Sequence, residues 1–308
     1  MTDTASKSIA VLLPCYNEAE AIAQTVEGFR RALPTATIYV YDNGSTDNTV
    51  EVARQAGAEV YSEPLKGKGN VVRRMFADVE ADVYVMADGD ATYDPDAAPK
   101  MIDLLHSTRS DMIVGTRQSS EDAAYRRGHR SGNRLLTGLV THIFGRRFTD
   151  ILSGYRVFSH RFVKSFPALS KGFEIETELT IHALELRAPV SELATTYASR
   201  PEGSASKLRT FSDGFRILRV IIQMTKEERP LAFFSLIALF FLIICLAIGV
   251  PVLLEYFDTG LVPRQPRWIA SVAFAIAALQ SFSVGLVLDT VTKGRQETKR
   301  LLYLSLPR

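Results

Sequence analysis

From Leu231 to Leu254 the chain carries no charged residue, and this stretch constrains its folding more than any other. It begins LAFFSLIALFFLIICLAIGV, and as a helix it is long enough to cross the roughly 30 Å hydrocarbon core of a bilayer. A second uncharged stretch, Trp268 to Leu288, is softened by Ser271, Gln280, Ser281 and Ser283. Either stretch alone also suits a buried core helix, but their length and proximity predict two transmembrane helices, about 231–254 and 268–288, within residues 230–292. Flanking charge orients them. Lys293, Arg295, Lys299, Arg300 and Arg308 stand against one acid, Glu297, whereas the loop between the stretches balances Glu255 and Asp258 with Arg264 and Arg267. The positive-inside rule then puts the tail, 293–308, in the cytoplasm, and two crossings return the large region 1–208 to the same side. The expectation is a multi-pass protein of the cytoplasmic (inner) membrane. MTDTASKS at the start lacks the basic and apolar parts of a signal peptide.

Composition excludes other classes. A formal net charge of +2 with no long basic run argues against nucleic acid as a partner. The cysteines are Cys15 and Cys245, too few for a disulfide framework or a zinc site.

Up to about residue 115, short apolar runs alternate with amphipathic stretches, the pattern of a parallel sheet with crossover helices. Strands are predicted at Ile9 to Leu13, Ile38 to Tyr41, Glu59 to Tyr61, Val83 to Ala87 and Met112 to Val114, and helices at Glu20 to Ala32, Thr46 to Gln55, Gly69 to Asp78 and Pro95 to Ser107. Right-handed crossovers align the strand C-terminal ends along one edge, where ligands of open α/β sheets bind. From Ser119 to Arg134 the chain turns polar and basic, with Arg126, Arg127, His129, Arg130 and Arg134, which reads as a loop leading into a helix. A helix near Glu174 to Leu186, a strand near Val190 to Thr196 and the polar segment SRPEGSASKLR follow. Within 209–229, Phe211, Phe215, Leu218 and Ile222 recur at helical spacing opposite Asp213, Arg216 and Arg219; this helix lies in the membrane interface or packs on the protein's own core.

The polar motifs fall at the predicted strand ends. The first strand ends LPCYNE and the second YDNGSTDNT, where Asp42 can accept hydrogen bonds from a base or ribose, while Asp47 and Asn48 suit helix capping equally. No GxGxxG follows the first strand, which argues against a dinucleotide cofactor. KGKGN, Lys66 to Asn70, is not a Walker A sequence; it reads either as an anion site at a helix start or as a plain helix entry with solvated lysines. The decisive run is VYVMADGDATYDP, an apolar strand running into Asp88-Gly89-Asp90. Two carboxylates on one tight turn repel each other unless a cation sits between them. Oxygen ligands favour Mg²⁺ or Mn²⁺, with substrate phosphates completing the shell.

LPCYNE, DNGSTDNT, KGKGN and DGDATYDP, in this order and spacing, resemble glycosyltransferase family 2 with its GT-A fold, a Rossmann-like, mostly parallel sheet. TDILSGYRVFS from Thr149, GFEIETEL from Gly172 and RPEGSASKL ahead of a two-span anchor are similar to the dolichyl- or polyprenyl-phosphate sugar synthases, so the likeness covers essentially the whole chain. The resemblance implies a nucleotide-sugar pocket lined by Pro14, Tyr16, Glu18, Asp42, Lys68, Asp88, Gly89, Asp90 and Glu176, with Asp88 and Asp90 as metal ligands and Glu176 near the sugar hydroxyls. It implies a polyprenyl phosphate acceptor such as undecaprenyl phosphate, a homotetramer, and a product used in cell-envelope glycan or glycolipid modification. Mannose synthases of this kind commonly carry glutamine two residues after the second aspartate; this chain has Thr92, which favours a UDP-sugar donor over a GDP-sugar.

A phosphate monoester has a second pKa of about 6 and needs no strong base. The site must instead gather charge, and Arg117, Arg130, Arg200 and Lys207 are the candidates to hold the acceptor phosphate. Asp150, with Asp90 the candidate catalytic carboxylate, orients the acceptor or acts as a base. One in-line displacement inverts the anomeric carbon. Three rivals remain: a processive polysaccharide synthase, for which Gln265-Pro266-Arg267-Trp268 is one residue short of QxxRW; a transferase to a glycerolipid hydroxyl; and a non-enzymatic lipid-binding scaffold.

Overall fold

The computed structural model describes residues 7–118, 138, 148–172, 174–200, 218–219, 221–223, 225–262 and 265–307. They divide into two compact units, Met1–Val220 with Lys299–Arg308, and Ile221–Thr298.

The first unit is a seven-stranded sheet between layers of helices. In chain order its elements are β1 (Ile9–Cys15), α1 (Ile22–Ala32), β2 (Thr37–Asp42), α2 (Thr49–Gln55), β3 (Glu59–Ser62), α3 (Lys68–Asp78), β4 (Val83–Met86), α4 (Ala98–Ser107), β5 (Met112–Gln118), β6 (Arg156–Ser159), α5 (His160–Ser165), α6 (Ile175–Glu185) and β7 (Val190–Thr196). The sheet order is β3-β2-β1-β4-β6-β5-β7. The predicted elements are present with ends moved by up to four residues, and the helix expected from Pro95 opens with a separate 3₁₀ turn, Pro95–Ala97. β6 has no counterpart among the predicted strands. It pairs antiparallel with both β4 and β5, opposing Met86 to Arg156 and Val114 to Arg156. Its four residues, RVFS, are buried on both faces, so they carry no alternation that marks a strand.

The strand arrangement positions the site. β1, β2, β3 and β4 run parallel, as do β5 and β7, and antiparallel β6 begins where β4 and β5 end. The turns after β1, β2, β4 and β5 and the turn before β6 therefore gather at one edge. On one side the sheet buries Ile22, Val26 and Phe29 of α1 and Met101 and Leu105 of α4. On the other, Phe158, Phe162 and Phe166 stack in series, with Phe76 of α3 edge-on to Phe158 and Phe166. His182 of α6 packs edge-on against Phe162 and Phe166, and burial pushes its imidazole down to about 3, so it is neutral and structural.

At the opposite edge, where β5 begins, residues Lys299–Arg308 join the same unit. Fully buried Asp111 takes a bidentate hydrogen bond from Arg161 at 2.7 and 2.6 Å, one from Ser159 at 2.8 Å and one from the Tyr303 hydroxyl. Lys299 pairs with Glu185 at 2.8 Å, and Arg300 donates to the Leu186 carbonyl at 2.6 Å, satisfying an end of α6.

The second unit holds α7 (Pro230–Thr259) and α8 (Gln265–Ser305), the latter continuing beyond the unit's last residue. Only 6% of the most apolar window of α7 and 11% of that of α8 is buried in protein, so neither is a core helix, and both are candidate membrane spans. Each is longer than expected from charge-free sequence, because α7 starts with Pro at its first turn and ends at Gly260 with φ +67°, and α8 continues through the basic stretch. They meet where a Cβ on Gly249 would strike the Ser271 hydroxyl, which donates to the Cys245 carbonyl at 3.0 Å. Of the expected interfacial helix, Phe211 and Phe215 lie outside the described residues, while Leu218 and Ile222 are helical and exposed.

Burial alone would raise the Asp111 carboxyl, but hydrogen bonds from Arg161, Tyr303 and Ser159 outweigh it and hold the group below the usual carboxylate range. Its contribution to stability is therefore present above the unfolded value of about 3.9 and is lost as pH falls through the depressed folded value. Tyr303→Phe is expected to destabilise the unit by about 1–3 kcal/mol. In thermal melts the gap from wild type should shrink as pH drops below about 4; a gap independent of pH would contradict this assignment.

Candidate active site

The Asp88-Gly89-Asp90 turn follows β4 at the sheet edge and is held from three sides. From α1, Thr25 Oγ1 accepts the Ala91 amide at 3.1 Å, which stabilises Ala91 in the left-handed region at φ +57°. From β1, the Cys15 sulfur lies against Gly89, where any Cβ would collide with it. From the turn before β6, Gly154 approaches so closely that a Cβ would stand 2.9 Å from Asp88 Oδ2.

Four carboxylates and two cations interlock here. Lys68, the first residue of α3, reaches Asp88 and, at 2.5 Å, Glu176 in the first turn of α6. Arg200 meets Asp90 Oδ2 at 2.5 Å and Glu18 at 3.7 Å. Burial by itself would lower the Lys68 ammonium, but Asp88 and Glu176 overcome it and raise it above the usual lysine range. Burial and the charge on Asp88 raise the Asp90 carboxyl, opposed by Arg200 and by hydrogen bonds from Thr92. Glu176 is 4% exposed, so it belongs to the interior of the site and not to a solvated helix face.

The glycines of KGKGN answer to packing. A Cβ on Gly67 would overlap the Lys171 carbonyl and one on Gly69 the Ser170 carbonyl, and the Gly69 amide already donates to Lys171 at 3.1 Å. Glu178 fixes the crossing segment by accepting the Leu169 and Ser170 amides at 2.8 and 2.7 Å. Lys68 is the member of the motif that faces the carboxylates; Lys66 donates to the Asn43 and Gly44 carbonyls and lies 4.3 Å over the Tyr16 ring.

Toward β2, Asp42 accepts the Gly44 and Ser45 amides at 2.9 and 3.1 Å and so shapes the turn beside Tyr16. Pro14 lies within β1 opposite Tyr41. Asp47 accepts the Thr49 amide at 3.1 Å and the Ala19 amide at 3.2 Å, a structural role. Toward β5, Arg117 grips Asp150 through two hydrogen bonds of 2.7 and 2.8 Å. Arg130 and Lys207 lie outside the described residues, as do the whole basic segment 119–134 and most of SRPEGSASKLR.

Two contributors escaped the sequence reading. Arg156 is fully buried and donates to the Ser153 and Ile151 carbonyls at 2.9 and 2.8 Å, fixing the turn that carries Asp150 and Gly154; burial lowers its guanidinium to about 10. Tyr93 accepts the Gly154 amide at 2.9 Å. The signal for the first was an arginine inside an apolar run; the tyrosine had none.

Asp88 and Asp90 are the residues able to hold a divalent cation. Their oxygens suit a hard ion, their mutual repulsion is relieved by one, and both already attract cationic side chains. Among the described residues no third His, Cys, Asp or Glu completes a metal cluster with them. The rest of a coordination shell would come from phosphate oxygens and water.

Residues 10–166 match the sequence profile of Glycosyl transferase family 2. A glycosyltransferase of Haloferax volcanii, AglJ, is 32% identical over 96% of this chain and 97% of its own length. The chain belongs to glycosyltransferase family 2. A dolichyl-phosphate hexose transferase of the same organism is 27% identical over 74% of this chain and 99% of its own. Among solved structures, glucosyl-3-phosphoglycerate synthase of Mycobacterium tuberculosis, crystallised with Mn²⁺ and UDP-glucose, superposes with a TM-score of 0.57 at 23% identity, covering 72% of this chain and 79% of that one. That likeness establishes the GT-A architecture of the sheet.

The packing of this glycosyltransferase's aspartate turn can be checked by a steric rescue. Gly89→Ala is expected to reduce transfer on the order of a hundredfold by displacing the two carboxylates. Cys15→Ala, which removes the sulfur that the new Cβ would meet, should restore most of the activity in the double variant. A double variant as impaired as Gly89→Ala would show that the constraint lies elsewhere.

Proposed function

We propose that this family 2 glycosyltransferase moves a sugar from a nucleotide-sugar, preferentially a UDP-sugar, to the phosphate of a membrane polyprenyl phosphate, with inversion at the anomeric carbon. The observation that carries the reading is the neighbourhood of Asp88 and Asp90 with the Arg117–Asp150 pair at one edge of a GT-A sheet, in a chain with two candidate spans. Dolichyl-phosphate hexose transferase, the name of one relative, supports the acceptor class. The protein works as a homotetramer in the cytoplasmic membrane with its α/β unit on the cytoplasmic side.

Asp88 and Asp90 would hold Mg²⁺ or Mn²⁺ at the donor diphosphate, and the bound ion supplies positive charge to the leaving nucleoside diphosphate. Lys68 stands at Asp88 and adds a cation beside that diphosphate. Glu176, buried against Lys68, is placed to accept from sugar hydroxyls. Arg117 and Arg200 bring positive charge for the acceptor phosphate, whose dianion attacks without a strong base.

The state of Asp150 favours a phosphate over a hydroxyl acceptor. Both of its oxygens accept from one guanidinium, which engages their lone pairs. Such a group holds Arg117 in place and is poorly suited to take a proton from an alcohol.

Purified protein should move label from a radioactive UDP-sugar into polyprenyl phosphate when Mn²⁺ or Mg²⁺ is present, and Asp88→Asn or Asp90→Asn should abolish this. Asp150→Asn should raise the acceptor KM more than it lowers kcat. Transfer to a glycerolipid with loss of kcat in Asp150→Asn would select the hydroxyl reading, and an α-linked product from an α-linked donor would exclude inversion.

A further inference from the structure

Thr92 lies two residues beyond Asp90, is 2% exposed, and is turned onto its neighbour. Its hydroxyl donates to Asp90 Oδ1 at 2.6 Å and its amide to the same oxygen at 3.2 Å. Arg200 takes the other oxygen, Oδ2. The two oxygens of one carboxylate are thus differentiated. Oδ1 is committed to its own turn, the carboxylate cannot rotate without breaking two hydrogen bonds, and Oδ2 is the oxygen presented to cations.

Tyr197, one residue beyond β7, is the neighbour of Thr92 in this segment. Backbone contacts hold the pair together. Tyr197 bridges to Tyr93, the Ala198 amide donates to the Thr92 carbonyl at 2.9 Å, and the Tyr197 amide donates to Gln118 at the end of β5 at 3.1 Å. The Tyr197 ring receives the Arg117 guanidinium at 5.6 Å.

We propose that Thr92 is a positioning residue that fixes Asp90 as a one-oxygen ligand for the divalent cation, and that the Tyr197 ring beside it supports Arg117. This rests on the reading of Asp90 as a metal ligand. The two neighbours thereby serve two different ends of the reaction, Thr92 the donor diphosphate and Tyr197 the acceptor phosphate.

The test measures Mn²⁺ binding to the full-length protein with UDP, from the electron paramagnetic resonance signal of the free ion, together with the acceptor KM. Thr92→Val, nearly isosteric, should weaken Mn²⁺ binding by about 10-fold or more, while Thr92→Ser should bind close to wild type. Tyr197→Leu removes the ring under Arg117, so it should raise the acceptor KM with Mn²⁺ binding unchanged, and Thr92→Val should show the opposite split. Wild-type Mn²⁺ affinity in Thr92→Val, or a wild-type acceptor KM in Tyr197→Leu, would each overturn the proposal. No Mn²⁺ binding by the wild type would instead overturn the metal assignment of Asp90 on which it stands.

Discussion

Like charge held at close quarters is the constraint from which the rest of the α/β unit follows. Asp88 and Asp90 share one turn, and Glu18 and Glu176 are buried within reach of the same cations. Unrelieved, such crowding would drive protons onto the carboxylates or push the turn apart. The fold answers with cations delivered from far along the chain. Lys68 arrives on the first residue of α3, and Arg200 follows the last strand. Around them the backbone is packed to a tolerance that excludes even a methyl group at Gly67, Gly69, Gly89 and Gly154. A site so confined is rigid before any substrate reaches it, which is what electrostatic catalysis requires.

Much of this is legible in the sequence because the relevant signals are local. An apolar strand running into DGD, alternating runs up to residue 115 and a charge-free stretch from Leu231 each report their structure over a short window. β6 was illegible for a matching reason: it is short, has no period, and is defined only by the strands on either side of it. Arg156 was hidden in the same segment, since its partners are carbonyls and no residue type in the sequence marks a carbonyl as needing a donor.

KGKGN shows how a local signal can be read for the wrong cause. Glycines beside lysines at a helix start suit an anion, yet here they make room for a backbone contributed from a hundred residues later in the chain. Thr92 is the reverse case. By sequence it is an absence, the place where a related motif has glutamine; in three dimensions it makes two hydrogen bonds to the carboxylate beside it. Periodicity and residue type locate elements and charges, whereas the role of a polar side chain depends on contacts that the sequence does not print.

The contact between Tyr303 and Asp111 bears on the order of events as the chain is made. Asp111 is fully buried at the start of β5, and one of its donors, Tyr303 near the end of α8, is synthesised only after both apolar stretches. Until then the α/β unit lacks part of the shell of a charged interior group, so its most stable form awaits translation of the hairpin. A ribosome that has delivered all seven strands has therefore not yet delivered a finished enzyme, and maturation of the catalytic unit is timed to follow synthesis of the helices that would anchor it.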